Sequence, residues 1–254
     1  MKTSRATVRC LRCFLFQQST YERNITMHYV ISDIHGNIHN FNNIMSQINL
    51  SQNDRLFILG DIIDRYPDGI QIMQKLMNMP NAEILLGNHE LMLKNAIRSG
   101  KKQDFYLWWE NGGYATIDQF EALSKTEQNK ILNNIEDLPV EKTIKLNGKT
   151  YVLAHATCPS LAKYDNNTKN IQIYGTINDY VWHRWKPNDL TKKPFTFIFG
   201  HTPTTLYQPN NPAEIFSLRN NICIDCGSGL PETYRIKGRL ACLRLEDMHV
   251  FYSK

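Results

Sequence analysis

The sequence predicts an α/β fold, read as one domain with a strand-rich second half, and two observations carry that prediction. Short apolar runs at 28–33, 55–61 and 82–90 are each followed by a stretch of helical periodicity. That succession is the signature of parallel strands covered by helices. From about residue 140 onward, strand-like runs separated by turn signals dominate instead.

Taken in order, HYVISD (28–33) leads into Ile38, Phe41, Ile44, Met45 and Ile48. RLFILGD (55–61) leads into Ile70, Ile72, Met73, Leu76 and Met77, and AEILLGNHE (82–90) into Leu91, Leu93, Ala96 and Ile97. The runs are nearly continuous in apolar residues, as strands buried on both faces are. The segment from about 101 to 138 reads as mostly helical, with Trp108, Trp109 and Phe120 as core. VEKTIKLNGKTYVLAHA (140–156) predicts a hairpin turned at Asn147-Gly148, because an Asn-Gly pair readily adopts the two positive φ angles of a tight hairpin turn. PFTFIFGH, NICIDCG, RLACLRLE and MHVFYS predict four more strands, and no linker or repeat divides residues 27–254.

Composition narrows the function classes. The chain has 254 residues, 42% of them hydrophobic, which excludes disorder throughout. No apolar stretch approaches the roughly 18 residues of a membrane-spanning helix. The net charge of +5 suggests a polyanionic partner until it is apportioned. Residues 1–26 hold Lys2, Arg5, Arg9, Arg12 and Arg23 against Glu22 alone, so nearly all of the excess lies there and no nucleic-acid partner is expected of the body. The expectation for 1–26 is a disordered basic extension, or sequence upstream of a start at Met27, whose removal leaves catalysis unchanged. An organellar transit peptide is the alternative. CLRCFLF, broken by Arg12, does not read as a secretory signal. The expected location is the cytoplasm.

The six cysteines read as reduced thiols. Cys10 and Cys13 have neither a second pair nor a nearby His, which argues against a zinc knuckle. Cys223 and Cys226 are expected on opposite faces of one strand, where they could not chelate together.

The informative feature is the polar residues gathered where each strand stops. Asp33 and His35 stand just past the first, Asp61, Asp64 and Arg65 past the second, and Asn88, His89 and Glu90 past the third. YVLAHA ends at His155 and FIFGHT reaches His201. In open α/β sheets the carboxyl edge is where ligands bind. A single Asp there is more often a helix cap or turn former, but five strand ends delivering Asp, Asn and His describe a metal site. Without thiolates the set favours manganese, iron or zinc in an open catalytic site over structural zinc. One ion does not need so many ligands, whereas two sharing a carboxylate would use them all, and such pairs suit in-line attack on phosphorus.

The ordered blocks DIHG, GDIIDR, GNHE, HA and GHT resemble those of the calcineurin-like metallophosphoesterases, and more narrowly the short bacterial and bacteriophage lambda type of PPP protein phosphatase. WWENGGYATI (108–117), VWHR (181–184), GHTP (200–203) and IDCGSGL…GRLACLRLE (224–246) match that short form, so the resemblance spans 27–254 as a catalytic domain. It implies two mixed β-sheets packed as a four-layer sandwich with helices outside. It also implies that Asp33, His35 and Asp61 bind one divalent ion, and that Asp61 bridges to a second completed by Asn88, His155 and His201. Manganese is the first expectation for both ions, with iron or zinc as alternatives. His89 would be the general acid, held and charged by Asp64, while Arg65 and Arg184 would grip the phosphoryl oxygens. The implied reaction is attack on phosphorus by hydroxide shared between the ions, with a phosphoprotein or phosphopeptide as substrate.

The sequence departs from the family where Tyr66-Pro67 replaces the Gly that usually follows the Asp-Arg pair, and where His183 precedes Arg184. Symmetrical dinucleoside tetraphosphate hydrolases share much of the motif set but typically lack a carboxylate at the position of Asp64. Nucleases of the wider superfamily usually carry a second His two residues after the Gly-His pair, where this chain has Pro203. A non-catalytic binding protein is disfavoured because every implied ligand and proton donor is present.

Overall fold

The computed structural model describes residues 26–168, 173–208, 213–231, 233 and 236–254; the basic extension up to residue 25, with Cys10 and Cys13, lies outside them. The three predicted strand–helix units form. Strands β1 (His28–Ile31), β2 (Arg55–Ile58) and β3 (Ala82–Ile84) run parallel and lead into α1 (Ile38–Ile48), α2 (Gly69–Met77) and α3 (Asn88–Ser99). Further helices cover the middle of the chain and flank its later strands: α4 (Lys102–Glu110), α5 (Ile117–Glu121), α6 (Lys125–Asp137), α7 (Pro159–Thr168) and α8 (Ile177–Trp182). Ser124 and Glu127 close a reciprocal cap at the start of α6, which satisfies two otherwise unpaired backbone donors.

Two five-stranded mixed sheets result. In the first, β9 (Ala241–Arg244) pairs antiparallel with β1, and β10 (Val250–Tyr252) with β9, giving the order β10-β9-β1-β2-β3. The second is built from β4 (Glu141–Leu146), β5 (Lys149–Ala154), β6 (Thr196–Phe199), β7 (Phe216–Leu218) and β8 (Asn221–Cys223), in the order β4-β5-β6-β8-β7. The β4–β5 hairpin turns at Asn147 and Gly148, with φ of 49° and 73°, as the sequence predicts.

Alternation along each strand builds the layers. Val30, Phe57 and Leu59 meet Tyr151, Leu153, Ile198 and Ile222 between the sheets. Tyr29, Ile31, Leu56 and Ile58 face the other way, onto α1, α2, α3 and α6. Val152, Ala154, Phe197 and Phe199 face out from the second sheet onto Leu161, Trp185 and Leu190. Helices, sheet, sheet and a further helical layer make the expected four-layer sandwich. Removing a side chain such as Leu59, Phe41 or Ile58 from water contributes about 1.5–3 kcal/mol each.

Three details correct the sequence reading. Trp108 and Phe120 are buried, but Trp109 is 41% exposed and Ile97 38%: consecutive helical residues point about 100° apart, so only one of the paired tryptophans can face the core. Strand β7, at the sheet edge, is not foreseen by the patterning; its FSL is too short and too weakly alternating to stand out. Strand β8 ends at Cys223, so Cys226 lies beyond the strand and alternation does not set its direction. The two thiols nevertheless pack into separate apolar clusters.

Candidate metal centre and active site

All five predicted strand ends deliver their polar residues to one edge of the sandwich. Backbone hydrogen bonds stitch the first two loops together: Asp33 N donates to Gly60 O, His35 N to Asp61 O at 2.9 Å and Gly36 N to Ile62 O at 2.7 Å. Gly200 N donates to His155 O at 2.8 Å, tying the last two loops in the same way. Asp33, His35, Asp61, Asp64, Arg65 and His201 all sit in the left-handed region, with φ between 52° and 72°. Such a conformation costs a non-glycine residue on the order of 1–3 kcal/mol and concentrates at functional sites; Asp and His tolerate it better than most.

Asp61 is the hub. His89 N, in the first turn of α3, donates to Asp61 Oδ1 at 3.1 Å, so the positive end of that helix faces the carboxylate. Its oxygens lie 3.5 Å from His155 Nε2, 3.7 Å from His35 Nε2 and 3.8 Å from His89 Nε2. Burial alone would raise the Asp61 pKa, but the surrounding imidazoles, His155 foremost, hold it well below the usual carboxylate range.

Among the described residues, two groups of side chains could hold metal ions, and Asp61 belongs to both. One is Asp61, His155 and His201; the other is His35, Asp61 and His89. The tautomers support this. His155 Nδ1 donates to Leu59 O at 2.8 Å, so in the neutral ring Nε2 carries a bare lone pair. That lone pair faces Asn88 Oδ1 at 2.9 Å, His201 Nδ1 at 3.2 Å and Asp61. His35 Nδ1 likewise meets Ile63 O at 3.2 Å, which aims Nε2 at Asp61 and, at 4.0 Å, at Asp33 Oδ1. Burial lowers the pKa of His155, of His35 and of His201, the last to about 2, which favours the neutral, ligating form of each ring. The Nε2 lone pairs of His35 and His155, Asn88 Oδ1 and the Asp61 carboxylate thus converge, as ligands of a divalent cation would. The donor set therefore fits a site for two metal ions that share Asp61.

The structure thus brings Asp33, His35, Asp61, Asn88, His155 and His201 to one place, with one difference from the expected grouping. By distance alone His89 falls within the tight cluster around His35 and Asp61, while Asp33 Oδ1 lies 4.0 Å from His35 Nε2. Asp33 accepts from Ser32 Oγ at 2.5 Å and from His201 N at 3.1 Å, which turns its carboxylate toward the His201 loop. Burial, with Asp225 and Asp61 nearby, raises its pKa well above the usual value.

His89 Nδ1 is 2.7 Å from Asp64 Oδ2. Burial would lower its pKa, but the Asp61 and Asp64 carboxylates outweigh that and raise it, favouring the protonated ring. Arg65 reaches across to His89 Nε2 at 3.4 Å, and Arg184, exposed on the far side, donates to His201 O at 3.4 Å. The two guanidiniums therefore flank the cluster. His183 packs against the Trp185 ring at 4.3 Å.

Four residues have roles in the site that the sequence reading does not assign. Trp108 Nε1 and Thr116 Oγ1 both donate to the buried Asp64 carboxylate, at 3.0 Å and 2.6 Å. Glu90 accepts from the backbone of Asp61 and of Ile62 at 2.8 Å each, and from Ile63 at 3.4 Å, clamping the turn that presents Asp61. Burial and Asp61 push its pKa up to about 7. Asp225, buried just past β8, accepts from Gly227 N at 2.9 Å, and burial raises its pKa to about 6. The rule that found the other ligands, an acid just past a buried strand, also describes Asp225.

With this geometry in place, comparison with known proteins is direct. The family model described as Calcineurin-like phosphoesterase matches residues 29–226, and the chain belongs to that family of metallophosphoesterase hydrolases. It is 30% identical over 181 residues to "Serine/threonine-protein phosphatase 2" of Salmonella typhimurium, covering 68% of this chain and 78% of that protein. The Escherichia coli protein of the same name is 31% identical over 242 residues, covering 85% of this chain and 98% of its own. "Bis(5'-nucleosyl)-tetraphosphatase PrpE [asymmetrical]" of Oceanobacillus iheyensis is 26% identical over 195 residues, covering 68% and 76%. Among solved structures, a protein serine/threonine phosphatase from Saccharomyces cerevisiae superposes with a TM-score of 0.57 at 15% identity, covering 91% of this chain and 80% of that one. At that identity the likeness establishes the fold.

Proposed function

We propose that this protein is a metal-dependent phosphomonoesterase acting on phosphoserine and phosphothreonine in proteins. The observation that carries the reading is His89, bonded to a buried carboxylate through Nδ1 and presenting Nε2 between Asp61 and Arg65. Expelling a serine or threonine alkoxide needs a proton donor, and a well-placed one is worth roughly 10²–10⁴-fold. Splitting a phosphoanhydride releases a far better leaving group and gains much less from it. The relatives named serine/threonine-protein phosphatase agree with this reading.

Asp33, His35 and Asp61 would hold one cation, and Asp61, Asn88, His155 and His201 a second; manganese is the first candidate, and iron and zinc accept overlapping ligands. Two such cations would lower the pKa of a water toward neutrality and offset phosphoryl charge. Arg65 and Arg184 present rigid donor forks that match phosphoryl oxygens, orienting the ester for in-line attack. Asp64, fixed by Trp108 and Thr116, keeps the His89 ring turned and charged.

The second reading is a dinucleoside tetraphosphate hydrolase, favoured by the relatives that carry that name. A manganese-activated panel of phosphoserine and phosphothreonine peptides, p-nitrophenyl phosphate and diadenosine tetraphosphate separates the two. Higher kcat/KM on the phosphopeptides is expected. The reverse order would make the nucleotide the substrate.

A further inference from the structure

An open groove of about 510 Å³ is lined by Arg65, Tyr66, Glu110, Tyr114 and Leu230-Pro231. One of its lining residues, Tyr66, is where this chain departs from the family. Where the resemblance has Gly, this chain has a tyrosine whose hydroxyl donates to Leu230 O at 3.0 Å. Tyr114 is 55% exposed, and its ring is held by a tilted contact with Trp109 at 6.0 Å. Glu110, exposed, ends α4, a helix of nine residues with no basic residue in its last turn. The negative end of the helix dipole therefore lies beside the Glu110 carboxylate with no basic residue of that turn to offset it.

From this geometry, and resting on the phosphatase reading, we propose that the groove is the subsite for a basic side chain flanking the phosphorylated residue of the substrate, arginine above all. Tyrosine faces and a carboxylate are the partners that a guanidinium takes, by stacking and by ion pairing. Among the described residues the one cation lining the groove is Arg65, the group assigned to the phosphoryl oxygens, so a bound substrate offsets its charge. A polyphosphate chain continuing from Arg65 into the groove would instead meet Glu110 and the end of α4.

The test measures kcat/KM of the full chain with manganese on phosphoserine peptides carrying Arg, Ala or Glu on either side of the phosphoserine. The Arg-flanked peptide is expected to exceed the Glu-flanked one by about five-fold, the size of an exposed ion pair. In Glu110→Gln that ratio should fall toward one, and in Glu110→Lys it should invert, so that each variant's activity on one peptide reports its folding. A wild-type ratio near one, or the same ratio in all three proteins, overturns the subsite alone. Hydrolysis of diadenosine tetraphosphate with no turnover of any phosphopeptide overturns the phosphatase reading, and the subsite with it.

Discussion

His89 Nδ1 and Asp64 Oδ2 stand 2.7 Å apart, both buried, and the carboxylate takes further hydrogen bonds from Trp108 and Thr116. A charged imidazole is costly in such a place unless a fixed anion accompanies it, so the pair acts as a unit. His89→Asn is expected to retain both metals while losing roughly 10²-fold or more in kcat on phosphoserine peptides. The loss on p-nitrophenyl phosphate, whose leaving group scarcely needs a proton, should be smaller. Asp64→Asn should show the same pattern with a milder loss. Parallel kinetics on the two esters check this, and equal losses would remove His89 from the acid role.

Glu90 is fully buried, and its two oxygens hold three consecutive backbone N–H groups. Glu90→Gln turns one acceptor into a donor against those groups, at a cost of about 1–3 kcal/mol. A lower Tm, together with weaker metal binding by titration calorimetry because Asp61 loses its support, is the expected result. A variant with unchanged Tm and metal affinity would show that the turn holds itself.

Removing divalent ions with a chelator should abolish activity on every ester and lower the Tm. Metal present at a hundred times its Kd stabilises the fold by about 2.7 kcal/mol. Adding manganese back should restore both, with two ions bound per chain, and Asp61→Asn should depress binding at both positions. A stoichiometry of one, measured by titration, would contradict the paired site.

Gly112 sits under Arg65 with φ of 111°, and a Cβ there would come within 2.8 Å of Arg65 Cγ. Gly112→Ala therefore displaces the guanidinium as well as straining the turn. The expected outcome is a roughly ten-fold or greater loss in kcat/KM on all phosphomonoesters, with a modest fall in Tm. Wild-type kinetics in this variant would mean that Arg65 is free to shift without consequence.

Much of this architecture is legible in the sequence because apolar runs that end in acids and imidazoles are hard to produce by chance. The three strand–helix units, the Asn147-Gly148 hairpin and the convergence of His155 and His201 with Asp61 all come from patterning and from where strands stop. What escapes depends on directions that periodicity does not carry. Trp108 reads as core from its apolar character, and only the orientation of α4 reveals that its indole N–H supports Asp64. Glu90 reads as one more motif residue, since nothing local says that it folds back onto the turn that begins at Asp61. Strand β7 has three residues at a sheet edge and leaves too little pattern to find.

The six left-handed residues at the carboxyl edge carry a consequence for how this chain can change over time. Each holds a side chain where glycine would sit more comfortably, so substitutions that relax the loops are also those that erase the chemistry. Any gain in heat tolerance must come from elsewhere in the sandwich, because at this rim endurance and turnover pull in opposite directions.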